Sequence, residues 1–128
     1  MAKIKQLTIA VENRPGAVAE IARVLGNAKV NVLSLMGTAQ GTSGTIQLVA
    51  EDTKRAKKAL DEARIPYQEA AAEGYDLPNK AGALAQYLEK LATKGVNLSS
   101  IHATASKGGR KAVVVYTTEA EAKAVQAA

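Results

Sequence analysis

The chain has 128 residues, of which 47% are hydrophobic and 23% charged, and this composition is typical of a soluble globular protein. It contains no cysteine and one histidine, which excludes disulfides, zinc fingers and thiol catalysis and makes a metal site unexpected. The net charge of +5 permits attraction to nucleic acid or acidic small molecules, but the basic residues are scattered along the chain.

The first half of the chain alternates between strand and helix patterns. Residues 4–11 place apolar side chains on one face by alternation, which predicts a half-buried strand. The following segment has apolar residues at helical spacing, with Pro15 in its first turn and Gly26 and Asn27 as stop residues. The predicted order is strand 4–11, helix 15–28, strand 30–40, turn 41–44, strand 45–51, a helix 52–63 capped by Asp52 or Thr53, and a final strand around 66–72.

The second half repeats the first. A shift of 66 residues aligns Asn13 with Asn79 without a gap, and the match continues through Thr38 and Thr104. It predicts a second unit in the same order. Its elements are strand 73–77, helix 81–95, strand 96–106, turn 107–110, strand 111–118 and helix 119–128.

This element order is the split β-α-β pattern of ferredoxin-like domains. We expect an α+β fold of two ferredoxin-like βαββαβ units, 1–71 and 72–128, with antiparallel sheets joined side by side and helices on one face. The last strand of the first unit runs into the first strand of the second without a strong breaker. The last strand of the second unit is missing, which leaves a sheet edge for a partner chain to cover.

The loop before the first helix carries chemistry suited to a small zwitterion. Gly16 and Ala17 have almost no side chain, so a ligand can approach backbone N–H groups that lack helical partners. Those amides suit a carboxylate, and Asn13 offers both a donor and an acceptor. The same residues also fit a purely structural role in which Asn13 caps the helix, Pro15 rigidifies it and Gly16 forms a tight turn.

The stretch "ENRPGAVAEIARVLGNAKVNVLSL" resembles the ACT domain, a small regulatory module often attached to enzymes of amino-acid metabolism. The matching features are the N-R-P-G-x-V loop, the helix and the V-N-V start of the next strand. The second unit keeps Gly82 but has Ala81 where the proline would be. The resemblance covers nearly the whole chain, once per unit, and implies a stand-alone tandem ACT protein without a catalytic domain.

The resemblance implies that a free amino acid binds where the loop of one unit meets the strand start of its neighbour. The ligand side chain would lie against Val18, Val32, Leu84 or Leu98, so we expect it to be apolar or of modest size. The implied ligand-binding residues are Asn13, Arg14, Pro15, Gly16, Ala17, Val18, Asn31, Val32, Leu33, Asn79, Lys80, Ala81, Gly82, Ala83, Leu84, Asn97, Leu98 and Ser99. Asn31 and Asn97 also suit a turn that precedes a strand.

The sequence predicts an allosteric regulator, with a homodimer or an enzyme of amino-acid metabolism as its protein partner. It predicts no cofactor, no metal and no catalytic residue, because His102 aligns with Met36 and has no evident catalytic partner. An assembly subunit without ligand is the alternative. Nucleic-acid binding has support only from basicity, because the sheet lacks an RNP-type aromatic stretch. No apolar run reaches the roughly 18 residues of a membrane span, and without a signal peptide we expect a cytoplasmic location.

Overall fold

A computed structural model describes residues 2–121 of the chain, with six strands and three complete helices. The α+β class and the predicted order of elements are confirmed, with bounds that differ by a few residues. The elements are β1 Ala2–Glu12, α1 Ala17–Asn27, β2 Val32–Gln40, β3 Ser43–Ala50, α2 Thr53–Glu62, β4 Gln68–Pro78, α3 Ala83–Thr93, β5 Leu98–Ala105 and β6 Lys111–Thr118.

The chain divides into two compact units. The first unit spans Lys5–Ala70, and the second unit combines residue 71 onward with the start of the chain through Ile4. Hydrogen-bonded strands run in the order β2-β3-β1 in the first unit and β4-β6-β5 in the second. All four pairings are antiparallel. This is the strand order of a ferredoxin-like sheet, built once in each unit. The bounds 1–71 and 72–128 stay a prediction.

The core of the first unit lies between one face of its sheet and its two helices. Alternation along β1 and β3 directs Leu7 and Leu48 to that face, and both are fully buried. Helix α1 contributes Ile21 and Leu25, and α2 contributes Leu60, so both helices cover the same face. This core is wholly aliphatic apart from the partly buried Tyr67 at its margin.

The second unit has a smaller core that is built around tyrosines. Leu77, Leu91, Val114 and Tyr116 are buried there. The rings of Tyr75 and Tyr87 stack with centroids 4.6 Å apart, and the Tyr87 hydroxyl lies 3.1 Å from that of Tyr116. Burial and these neighbouring tyrosines raise the pKa of Tyr87 far above its ordinary value. The three rings therefore replace aliphatic packing with stacking and a hydroxyl pair.

One continuous strand forms the passage between the two units. Strand β4 is continuous from Gln68 to Pro78, as the absence of a breaker indicated. At the other end of the chain, Lys3 extends its ammonium to Glu73 at 3.6 Å and to Glu121 at 3.4 Å. The side chain of Ile4 fills the space beside Gly74. The sequence predicted that the second unit lacks its final strand and that a partner chain covers the exposed edge. In the structure, the start of β1 occupies this position beside β4.

Both long helices of the repeat end in the same turn. The left-handed residue is Lys29 after α1, with φ 61°, and Gly95 after α3, with φ 76°. The next amide donates back to the helix in both units, from Val30 to Leu25 and from Val96 to Leu91. The predicted stop residue Gly26 instead lies inside α1, so the strained position falls on a lysine in the first unit.

The caps of the remaining helices follow the sequence. Asp52 caps α2 by accepting a hydrogen bond from the Arg55 amide at 3.1 Å, as predicted. After β6, Thr118 and Glu121 form a reciprocal capping box that starts a helical turn at residues 119–121. The rest of the predicted helix 119–128 lies outside the described residues.

Candidate functional site

The loop before the first helix of each unit has one backbone geometry. Gly16 precedes α1 with φ 88° and Gly82 precedes α3 with φ 86°, and neither helix start has a side-chain cap. Both glycines occupy the left-handed region that side chains with a β-carbon rarely adopt. The helices therefore begin at Ala17 and Ala83. Pro15, which was predicted in the first turn of the helix, lies in the loop before it.

Asn13 and Asn79 hold the loop against the neighbouring hairpin. The Asn13 side-chain amide donates to the Gly41 carbonyl at 2.8 Å, and its backbone amide donates to the Thr42 carbonyl at 3.0 Å. Asn79 donates in the same way to the Gly109 carbonyl at 2.8 Å and also to that of Ser106 at 3.3 Å. These side chains stabilise the junction of loop and hairpin, and the helix-capping role suggested by the sequence is not what they do.

Helix α1 begins with backbone amides that have no hydrogen-bond acceptor within residues 2–121. The amide of Ala17 donates to the Arg14 carbonyl at 3.3 Å, and that of Glu20 donates to Gly16 at 3.0 Å. The amides of Gly16 and Val18 have no acceptor among the described residues. They carry partial positive charge at the helix start, so a carboxylate is a suitable partner for them.

A cavity of about 210 Å³ lies beside this loop in the first unit. Its walls come from the end of β1, the start of α1 and the hairpin of β2 and β3. The cavity is smaller than the roughly 300–1,000 Å³ of drug-sized ligand sites, which suits a smaller molecule. The lining residues are Val11, Glu12, Asn13, Arg14, Ala17, Val18, Gly37, Thr38, Ala39, Gly44, Thr45 and Ile46.

The second unit has an equivalent cavity of about 220 Å³. Each of its lining residues has a counterpart that lines the first cavity at the same place in the fold. The hairpin is longer in the second unit, because Ala105 and its partner Ala112 enclose six residues where Ala39 and Gly44 enclose four. The lining residues are Leu77, Pro78, Asn79, Lys80, Leu84, Ala103, Thr104, Ala105, Ala112 and Val114.

The rims of the two cavities differ in charge. In the first, the Arg14 guanidinium lies 3.3 Å from the Glu12 carboxylate and 2.5 Å from the Glu20 carboxylate. The hydrogen bond to Glu20 is the main cause that raises the pKa of Arg14. In the second unit, Pro78 replaces Glu12 and Gln86 replaces Glu20, so neither position carries a carboxylate. Lys80, the counterpart of Arg14, forms no ion pair in the described part of the chain. Arg14 is thus neutralised by its own unit, whereas Lys80 is not.

The structure brings some of the predicted site residues together and separates others. Asn13, Arg14, Ala17 and Val18 line the first cavity, and Asn79, Lys80 and Leu84 line the second. The predicted residues that belong to the loops or the helix starts without lining a cavity are Pro15, Gly16, Ala81, Gly82 and Ala83.

The predicted strand starts lie at the other end of β2 and β5 from the cavity of their own unit. The side chain of Asn31 donates to Glu51 at 2.9 Å, and that of Asn97 donates to Glu119 at 2.5 Å. Both asparagines therefore fix the start of a strand against the segment that follows the next strand. The six residues of the strand starts are Asn31, Val32, Leu33, Asn97, Leu98 and Ser99, and none lines either cavity.

Sequence reasoning missed the hairpin walls. Thr38 and Thr104 occupy equivalent places in the two cavities, and both are flanked by small residues that keep the space open. The identity of Thr38 and Thr104 in the repeat was a signal for this wall. The family resemblance instead implied a site at the strand starts.

The described residues contain no group of three or more histidine, cysteine or acidic residues placed to hold a metal ion. Burial lowers the pKa of His102, which favours its neutral form. No helix in residues 2–121 is long and apolar enough to cross a membrane.

The chain is a tandem of ferredoxin-like units with one cavity beside the loop of each unit. A family model for the ACT domain matches residues 5–64, which lie in the first unit. The chain matches no curated protein.

Solved structures extend the likeness to the whole chain. Protein BT0572 from Bacteroides thetaiotaomicron is 27% identical, with a TM-score of 0.85 over 97% of this chain and 85% of that one. The ligand-free regulatory subunit of aspartate kinase from Thermus thermophilus is 15% identical, with a TM-score of 0.69 over 99% and 95% of the two chains. The corresponding subunit from Thermus flavus is 16% identical, with a TM-score of 0.60 over 98% and 89%.

Proposed function

We propose that this protein is a non-catalytic regulator that binds a free amino acid through its ACT loops. The observation that carries the proposal is the pair of equivalent cavities beside the Gly16 and Gly82 loops. In the first unit, that cavity lies within the ACT-domain segment 5–64. The likeness to aspartate kinase regulatory subunits supports the fold of such a regulator.

The chemistry of the cavity walls fits an amino acid. Unused amides at the start of α1 can donate hydrogen bonds to a carboxylate, and Thr38 supplies a hydroxyl nearby. Val11, Val18 and Ile46 provide an apolar wall for a side chain of modest size. Binding would stabilise the arrangement that the ligand fits, and it would act on a partner only if two arrangements bind it differently.

The proposal includes a homodimer in which a neighbouring ACT unit of a second copy completes the site. Val18 is 43% exposed at the first cavity, so this wall is open on one side. Strand β2 is the edge strand of its unit, contains no charged residue, and exposes Leu33 by 62% and Leu35 by 40%. An uncharged edge of this kind favours pairing with another chain. An enzyme of amino-acid metabolism is the proposed regulated partner.

Thermal unfolding with each of the twenty amino acids tests the proposal. A ligand at one hundred times its Kd would add about 2.7 kcal/mol of stability, and the midpoint would rise by roughly 10 °C. Two matched variants locate the site. Gly37→Leu and Ala103→Leu place a larger side chain at equivalent positions of the two cavity walls, and an added β-carbon at Gly37 meets no atom within 4 Å.

The control is Gly26→Ala, which adds a methyl group to open space at the end of α1. We expect the shift to persist in this variant and to fall when the cavity that binds the ligand is filled. A flat response to all twenty amino acids at about ten millimolar would overturn the sensor role. The ligand-free assembly subunit would then be the better interpretation.

A further inference from the structure

The second cavity lies in a cationic part of the molecule that has no counterpart in the first unit. Lys80 lines the cavity itself. The hairpin beside it carries Lys107, Arg110 and Lys111, whereas the shorter hairpin of the first unit has uncharged residues from Gly41 to Ser43.

This cationic hairpin is attached directly to the cavity wall. The Asn79 backbone amide donates to the Arg110 carbonyl at 2.9 Å, and Lys111 pairs with Pro78 across the strands. Asn79 lines the cavity, so the backbone of Arg110 lies next to it. The side chain of Lys111 alternates along β6 with that of Ala112, which lines the cavity, and therefore lies on the opposite face of the sheet. Charges within about 10 Å of a site act on it at ordinary ionic strength.

The cations beside the second cavity are not neutralised. In the described part of the chain, none of Lys80, Lys107 and Arg110 has a carboxylate within ion-pair distance. Arg14, the counterpart of Lys80, is held by Glu12 and Glu20. The two rims therefore have opposite electrostatic preferences around cavities of nearly equal volume, about 220 and 210 Å³.

We infer that the cavity of the second unit binds a small dicarboxylate, and that the cavity of the first unit discriminates against one. The inference rests on the proposed function, which gives the ligand its amino group. Together, the two proposals specify an amino acid with an acidic side chain. One carboxylate faces Lys80 and the other faces the hairpin beside Arg110. In the first cavity, Glu12 and Glu20 repel a second negative charge.

Isothermal titration calorimetry with isosteric ligand pairs tests the inference. Aspartate and glutamate are compared with asparagine and glutamine, and succinate is included as a dicarboxylate without an amino group. We expect the acids to bind about tenfold more tightly than the amides, a preference of about 1.4 kcal/mol that requires ion pairs with more than one of the exposed cations. Added salt should reduce this preference.

Charge-removing variants assign the preference to the second cavity. The double variant Lys80→Gln, Arg110→Gln should lose the tenfold preference, and the control Lys58→Gln on α2 should keep it, because Lys58 is exposed and lies in the first unit. Equal affinity for acids and amides would overturn the inference while leaving the amino-acid sensor intact. Binding of succinate without binding of any amino acid would keep the dicarboxylate cavity and overturn the sensor. Absence of all binding would overturn both.

Discussion

The two units use the same backbone to build cavities with different rims. Gly16 and Gly82 adopt the same left-handed conformation, and Asn13 and Asn79 hold equivalent hairpins. Around these common features, a neutralised arginine in one unit is replaced by an unpaired lysine in the other. The comparison teaches that backbone geometry sets the shape of the cavity, whereas the exposed rim sets its charge.

The largest change in stability is expected from substitutions in the cores of the two units. Leu25 is completely buried in the aliphatic core, while its counterpart Leu91 is 8% exposed beside the tyrosines. We expect Leu25→Ala to lower the free energy of unfolding by about 4 kcal/mol and Leu91→Ala by about 2 kcal/mol, because the larger closed cavity costs more. Urea denaturation measures both values. A larger loss for Leu91→Ala would show that the second core is the tighter one.

The glycines before the helices should respond equally if the backbone plan is shared. Gly16→Ala and Gly82→Ala each force a β-carbon into the left-handed region, so we expect each to lower the free energy of unfolding by about 1–2 kcal/mol. An added β-carbon meets nothing within 4 Å at Gly82 and makes only an ordinary contact of 3.9 Å with the Arg14 side chain at Gly16, which leaves backbone strain as the cause. Denaturation of the two single variants checks this. A loss at one position alone would break the equivalence of the loops.

The left-handed residues after the helices allow two substitutions with opposite expected effects on stability. Lys29→Gly relieves strain in the first unit, and we expect a gain in stability of up to about 1 kcal/mol. Gly95→Lys introduces the same strain in the second unit and should cost about 1 kcal/mol. Thermal or urea unfolding of the two variants gives the sign of each change. Destabilisation by Lys29→Gly would mean that the lysine side chain contributes more than its backbone strain costs.

The smallest expected effect concerns His102, which takes the place of Met36 in the repeat. Burial lowers the pKa of His102 below the value near 6.5 that it has in the unfolded chain. The unfolded state therefore binds more protons, and stability should decrease modestly as the pH falls through 6.5 towards the folded pKa. The variant His102→Met should flatten this part of the pH profile of the unfolding midpoint. An unchanged profile would exclude His102 as its cause.

Much of the fold could be predicted from the sequence, because alternation and helical spacing record which faces are buried. The repeat also located both loops through Asn13, Gly16 and their counterparts. The position of the start of β1 beside β4 could not be predicted in this way. The pairing of Lys3 with Glu73 and Glu121 joins residues far apart in sequence, and no local pattern encodes it.

The candidate site was predictable only in part, for similar reasons. The loop residues stand next to one another in sequence, whereas the wall around Thr38 and Gly44 is brought to them by hairpin pairing. The left-handed turn at Lys29 was missed because a lysine gives no local signal for that conformation. The neutralisation of Arg14 depends on the helix that positions Glu20, so the difference in rim charge appeared only in three dimensions.

An amide-resolved NMR titration with the tightest-binding amino acid tests the central claim most directly. The account predicts saturable shifts at Gly16, Val18 and Thr38, or at Gly82, Leu84 and Thr104, with the acidic ligands favouring the second set. Shifts confined to surfaces remote from both cavities, or no saturable shift in either set, would contradict it.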